Sequence, residues 1–391
     1  MRVLFINTVY GRGSTGRIIS DIGQMLEDNG HEFKVAYGRG SHSTDSHCYR
    51  IGNDLDMYLH AGLSRITDKA GFYSKRATRK LVEFIRKYEP DVINLHNLHG
   101  YYVNLEILFN YLAEEFKGQV VWTLHDCWAF TGHCVHYTYA KCEKWKTGCD
   151  NCSEKKRYPK SLFRDNSAEN YKKKKELISR LRNLVIVTPS KWLAEQVKLS
   201  FIQPKSIVVI NNGIDLGVFQ NKGLKREHII LNVTDGLDDR KGFGDLIKLH
   251  QLLPWEYKIV IVGVTLPAGF KQIDGMEFVK RTDSVAELVD FYNKSEFLVN
   301  PTYEDTFPTV NMEAIACGLP VITYASGGSP ESVPPGSGFV VPPGEIELIA
   351  KIIKNTQQGF AKCSEQALRF DKYIKYQEYI DLFEKNMKTH V

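Results

Sequence analysis

MRVLFINTVYGRGSTGR, residues 1–17, decides the fold. Its apolar run Val3-Leu4-Phe5-Ile6 has the length of a strand buried on both faces. Gly11, Gly13 and Gly16 follow in the spacing G-x-G-x-x-G. A helical pattern over 18–27 comes next and stops at Asn29-Gly30. Strand, glycine loop and helix in that order open a doubly wound α/β sheet, and such glycines let the backbone approach a phosphate at the helix start.

The same rhythm continues outward. FKVAYG (33–38), VINLH (92–96), VVWTLH (120–125) and LVIVTP (184–189) read as strands, with helices over 79–88 and from Ser190 onward. IILNV (229–233), KIVIVG (258–263), FLVNP (297–301) and PVITY (320–324) repeat it, with helices over 244–253, 285–293 and 309–317. The chain is therefore α/β with two successive Rossmann-like, doubly wound domains. The expected division is 1–200 with a cysteine-rich insertion at 127–175, a linker at 201–225 containing SIVVINNGIDLGVF, a second domain at 226–362, and a helical run at 363–391 that packs back on the first domain.

With 391 residues and 43% apolar content, the chain exceeds what one core usually organises. Its 51 Lys and Arg against 46 Asp and Glu give +5, too mild for nucleic acid as partner; an anionic small molecule or a membrane surface fits equally. The first apolar run is too short for a signal peptide, and nothing approaches the roughly 18 apolar residues of a spanning helix. The expectation is a cytoplasmic protein, at most peripheral to a membrane, whose eight cysteines are thiols or metal ligands.

Strand ends carry the candidate chemistry. After the second strand stands Gly38-Arg39 instead of the acid that holds a ribose, which disfavours NAD and leaves NADP as a rival ligand. Arg240-Lys241-Gly242 occupies the matching loop of the second domain, where two cations can hold a diphosphate; a solvated turn paired to Asp238 and Asp239 is the alternative. In EDTFPTVNMEA (304–314), a helix starting near Pro308 turns its first N–H groups toward an anion, with Glu313 one turn beyond Thr309 and Asp305 in the loop before it. Glu304 has no assigned role. His125-Asp126 ends another strand, with His96 and His99 at its neighbour, so these four form a polar wall.

Cys134, Cys142, Cys149 and Cys152 are spaced C-x7-C-x6-C-x2-C, with Cys127, His133 and His136 nearby. Four thiolates suit a structural zinc; unpaired thiols or disulfides are the alternatives. Residues 155–175 hold nine basic residues against two acids, either a solvated helix face or an attraction to anionic lipid.

Taken in order, GRGSTGR, LHD (124–126), TPSKWLAEQV (188–197), NNGIDLGVF (211–219), RKG (240–242), EDTFPTVNMEAIACGLPVI (304–322) and GGSPE (327–331) resemble the retaining glycosyltransferases of GT-B architecture, family 4 in particular. The cysteine-bearing insertion is similar to a subgroup linked to colanic-acid-type exopolysaccharide. The resemblance implies two domains facing across a cleft and transfer of a hexose from a UDP- or GDP-sugar to a glycan or lipid-linked hydroxyl. It implies no metal for transfer. Lys241, helped by Arg240, would neutralise the donor diphosphate; backbone at Phe307, Pro308, Thr309, Gly13 and Gly16 would bind its oxygens. Glu313 would hold the ribose, Asp305 would stand near the donor sugar, and His125 would contact that sugar, with His96, His99 and Asp126 on the acceptor side. The chain departs from the family pattern at Asp235, where an Arg is common, at Asp305, where Glu is, and at Pro308, where Gly is. The rivals are an NADP-dependent oxidoreductase and a sugar-nucleotide-binding protein without turnover.

Overall fold

A computed structural model describes residues 1–40, 45–267, 269–356 and 362–387, and it divides into two compact units, Met1–Asn211 with Lys375–Val391, and Asn212–Ile374. Of the expected terminal helical run at 363–391, residues 388–391 lie outside the described residues.

The first unit holds strands β1 Arg2–Asn7, β2 Glu32–Tyr37, β3 Cys48–Arg50, β4 Val92–Leu95, β5 Gln119–Thr123, β6 Leu184–Thr188 and β7 Ser206–Val209. Their order is β3-β2-β1-β4-β5-β6-β7, all parallel, with Val3 registered between Phe33 and Val92. Its helices are α1 Gly13–Asp28, α2 Asp54–Thr67, α3 Lys75–Tyr88, α4 Leu105–Glu114, α5 Ser167–Ser179 and α6 Lys191–Leu199. Alternation along β1 feeds two cores. Leu4 and Ile6 meet Leu81, Ile85 and Leu108, while Val3 and Phe5 meet Ile18, Ile22 and, from the end of the chain, Tyr379 and Phe383.

The second unit holds β8 Ile229–Val233, β9 Lys258–Val262, β10 Met276–Val279, β11 Phe297–Asn300, β12 Val321–Tyr324 and β13 Gly338–Val341, in the order β10-β9-β8-β11-β12-β13, again all parallel. Helices α7 Phe243–Leu252 and α10 Ile346–Asn355 cover one face; α8 Val285–Lys294 and α9 Thr309–Ala316 cover the other. The last helix, α11 Lys372–Met387, gives Tyr376, Tyr379, Ile380 and Phe383 to the first unit's core. In each sheet the strand order reverses beside its first strand, β1 or β8, the place where doubly wound folds bind ligands.

Three differences from the sequence reading have physical causes. The first helix begins at Gly13, five residues earlier than its apolar pattern, because the glycine loop supplies its first turn. SIVV, expected in the linker, is β7, the edge strand of the first sheet. The edge strands β3 and β10 lie partly exposed, so neither carries the continuous apolar run of a central strand.

Candidate functional site

Each unit brings its own group of the expected residues together. In the second unit, Asp238 caps the turn Asp239–Lys241 by accepting from the Arg240 N–H (2.9 Å), and Gly242 follows at φ +75. A Cβ there would sit 2.3 Å from the Pro301 carbonyl, so only glycine lets this turn lie against the end of β11. Lys241 Nζ reaches Asp305 Oδ2 at 3.4 Å, and Asp305 Oδ1 accepts from the Phe307 N–H at 3.1 Å. Asp305 thus fixes both the lysine and the loop entering α9. Pro308 precedes that helix, which no side chain caps and whose first turn carries no acid. Its leading N–H groups are suited to an anion. Glu313, buried one turn on, accepts from the Tyr292 hydroxyl at 2.8 Å.

Glu304, which the sequence left without a role, is 3% exposed and lies 3.4 Å from the Arg240 guanidinium. That guanidinium also pairs with Asp238 at 3.0 Å, so Arg240 is turned onto two carboxylates and Lys241 is the better placed cation of the pair. Phe307 is buried against Phe370, with its N–H held by Asp305 and its carbonyl accepting from Asn212 Nδ2 at 3.3 Å.

In the first unit, Gly11 and Gly13 adopt φ +65 and +63, which L side chains rarely take, and a Cβ on Gly13 would meet nothing within 4 Å. Gly16 differs: it is buried, 3.2 Å from the Val9 side chain, and serves helix packing instead of facing a ligand.

The polar wall is a hydrogen-bonded chain with a fixed direction. Asn94 Nδ2 donates to Val121 O (3.2 Å) and Thr123 Oγ1 (3.1 Å), so its Oδ1 must accept from His96 Nε2–H at 2.9 Å. Burial, with His125 beside it, holds His96 well below the usual imidazole range, so it is neutral and its Nδ1 accepts. His125 Nε2–H therefore donates across 2.9 Å. Burial, resisted by Asp126, pushes His125 down to about 4, which makes it a neutral ring whose Nδ1 carries the lone pair. Alongside, His99 Nε2 donates to Asp126 Oδ2 at 2.6 Å and His99 Nδ1 meets the Tyr158 hydroxyl at 2.9 Å. Burial opposes the Asp126 charge, but His99 and the Trp128 N–H hold its carboxyl down to about 2.

Sequence reasoning missed Lys174. Read as part of a solvated basic run, it is 1% exposed, donates to Trp128 O (2.7 Å) and Thr131 O (3.0 Å), and lies 3.4 Å from the Trp128 ring centre. The signal was present: Tyr171, Lys174, Leu177 and Ile178 share one helical stripe, and all four are buried. Lys174 anchors the turn whose Trp128 N–H holds Asp126.

The expected zinc staple does not fit. Among the described residues no three His, Cys, Asp or Glu side chains converge in a geometry for a metal, and all eight cysteines are free thiols. Cys149 Sγ accepts from the Gly132 N–H at 3.2 Å, and Cys134 hydrogen-bonds Cys152. Trp145, packed on Phe130 and Tyr137, ties the insertion into the first unit's core.

Two parallel Rossmann-like sheets, one with a histidine–aspartate wall and the other with a lysine, a helix start and a buried glutamate, define a glycosyltransferase of GT-B fold. The match to the Glycosyltransferase Family 4 model spans residues 15–218, more than half the chain, and residues 228–358 match the model of Glycosyl transferases group 1; the chain belongs to glycosyltransferase family 4. It is 25% identical over 425 residues to the putative colanic acid biosynthesis glycosyl transferase WcaC of Escherichia coli K12, covering 98% of this chain and 100% of that one. Among solved structures, sucrose-phosphate synthase from Thermosynechococcus elongatus superposes with a TM-score of 0.70 at 16% identity over 100% of both chains. Anabaena HepE in complex with UDP and glucose does so with 0.66 at 17% identity, over 98% of this chain and 99% of that one. These findings lend the NADP-dependent oxidoreductase reading no support.

Proposed function

We propose that this glycosyltransferase moves a hexose, with retention of anomeric configuration, from a UDP- or GDP-sugar to a hydroxyl of a growing bacterial surface polysaccharide carried on lipid at the cytoplasmic face of the membrane. The observation that carries the reading is the pairing of Lys241 with Asp305 beside the uncapped start of α9, with Glu313 one turn inside. A leaving nucleoside diphosphate needs a fixed cation and oriented N–H dipoles, and Lys241 and α9 supply both without reorganisation. Glu313, held in place by the Tyr292 hydroxyl, is the carboxylate assigned to the ribose hydroxyls. In the first unit, neutral His125 contacts the donor sugar, and His99 and Asp126 bind the acceptor. The full-length similarity to a putative colanic acid transferase supports the polysaccharide, and UDP with glucose in HepE supports the donor class.

The test incubates the purified protein with a panel of UDP- and GDP-sugars and lipid-extracted acceptor, and follows nucleotide release and the product's anomeric proton by NMR. Turnover of one donor with its anomeric configuration kept is the expected result; inversion sinks the stereochemical claim, and no binding of any donor sinks the whole reading. One observation favours a binding protein without turnover: Arg240 is held by Asp238 and Glu304, and Asp235 stands where the family pattern has an Arg. That reading expects donor binding with no nucleotide release on adding acceptor.

A further inference from the structure

Helix α2 is amphipathic in the wrong sense for a surface helix of a water-soluble unit. Met57, His60 and Ser64 face inward, whereas Leu55, Tyr58, Leu59, Leu63 and Ile66 recur at i, i+3, i+4, i+8 and i+11 on the solvent side. Leu162 and Phe163 extend this stripe: the Leu162 N–H donates to the Arg65 carbonyl at 2.7 Å, which seats their loop against the C-terminal turn of α2. These seven apolar side chains are between 43% and 71% exposed. A contiguous apolar patch of this kind marks an interaction surface.

Its border says what covers it. Arg65, Lys156, Lys160 and Arg164 are exposed around the patch. The nearby acids are engaged elsewhere: Asp54 pairs with Arg50, Asp56 closes the capping box of α2, Glu154 pairs with Arg157, and Asp165 accepts from the Cys152 and Ser167 N–H groups. A second copy packed face to face would oppose like charges. An anionic headgroup layer meets them with opposite charge while the apolar side chains enter the acyl boundary. The surface also adjoins the polar wall, since Tyr158, just before this loop, bonds His99.

We propose that the solvent face of α2, together with Leu162 and Phe163, docks this protein on an anionic lipid bilayer with the His99–Asp126 group next to the lipid surface. Only the use of that placement, meeting a lipid-borne acceptor, rests on the transferase reading. Vesicle binding is measured with no sugar present, so its failure leaves that reading standing, and failure of transfer leaves the docking surface standing.

The experiment sediments the full chain with vesicles of phosphatidylcholine containing about one-third phosphatidylglycerol, and with phosphatidylcholine alone. Expected are binding to the anionic vesicles that weakens with salt, and a fall of roughly tenfold or more in the partition coefficient for the exposed pair Leu59→Asp with Phe163→Asp, with unchanged circular dichroism. Lys160→Glu with Arg164→Glu lowers binding to anionic vesicles while leaving the weak binding to neutral ones in place. Equal binding by wild type and both double variants, or no binding by wild type, overturns the proposal. So does light scattering that finds a dimer abolished by Leu59→Asp, which would assign the face to a second copy.

Discussion

Lys241 and Asn94 are single residues whose surroundings set their chemistry. Lys241 is held at 3.4 Å by Asp305, and its loss removes the fixed charge for the diphosphate: Lys241→Ala is expected to lower kcat/KM for the donor by roughly 10²-fold, read by nucleotide release. Near-normal rates would remove it from the site. Asn94 acts through two rings. Its amide orientation makes His96 donate at Nε2, and that makes His125 donate at Nε2 in turn. Asn94→Asp places a carboxylate against His96, favours the imidazolium, and turns His96 Nδ1 into a donor; the His125 proton then moves to Nδ1. Long-range proton–nitrogen NMR should show the two His125 nitrogens exchange character, whereas a merely structural Asn94 would leave them unchanged. Both histidines were legible as strand-end residues. Their relay was not, because Asn94 lies within a strand that in sequence shows only an apolar run with one amide.

Among the elements, α2 shows what sequence periodicity misses. A run whose apolar residues face solvent meets no partner element among the described residues, so DLDMYLHAGLSRIT gave no signal of a core helix. By contrast the central strands β1, β4, β5, β8 and β11 were readable because burial on both faces demands continuous apolar runs. Lys174 went unread for the opposite reason, a charge run concealing one buried member. Helix α2 is anchored from behind by His60, whose Nδ1 meets Ser74 Oγ (2.7 Å) and whose Nε2 accepts from the Gly71 N–H (3.1 Å). Burial pushes His60 down to about 3, so the unfolded chain takes up its proton first as pH falls. The stabilisation is complete above the ordinary imidazole value and is lost as pH falls from about 6.5 toward 3, at up to about 1.4 kcal/mol per pH unit. Urea unfolding at pH 7 and pH 5 should show this loss. His60→Leu should reduce the slope while lowering stability at pH 7, since it strands the Gly71 N–H.

At the scale of the molecule, the two doubly wound units were legible from alternating strands and helices, whereas the edge strand β7, which lies partly exposed just before the division at Asn211, was not. The Lys241–Asp305–Glu313 group was legible as strand-end and helix-start residues; the capture of Arg240 by Glu304 was not, because an ion pair between residues 64 apart leaves no trace in local spacing. Helix α11 gives the first unit part of its core, and Phe383 is fully buried there. Phe383→Ala should cost the first unit about 3–5 kcal/mol, seen as an early transition in thermal or denaturant unfolding, with the second unit's transition unmoved.

That return of the chain has a consequence during synthesis. Residues 1–211 leave the ribosome with Val3, Phe5, Val35 and Val121 still lacking Tyr379, Ile380 and Phe383 on their open face. At roughly 5–20 residues per second the missing helix arrives about 10–35 s later. Through that interval the nascent first unit exposes an apolar sheet face, which makes it a client for chaperones, and products that stop between residue 211 and α11 are expected to aggregate even though each contains the whole of the first sheet.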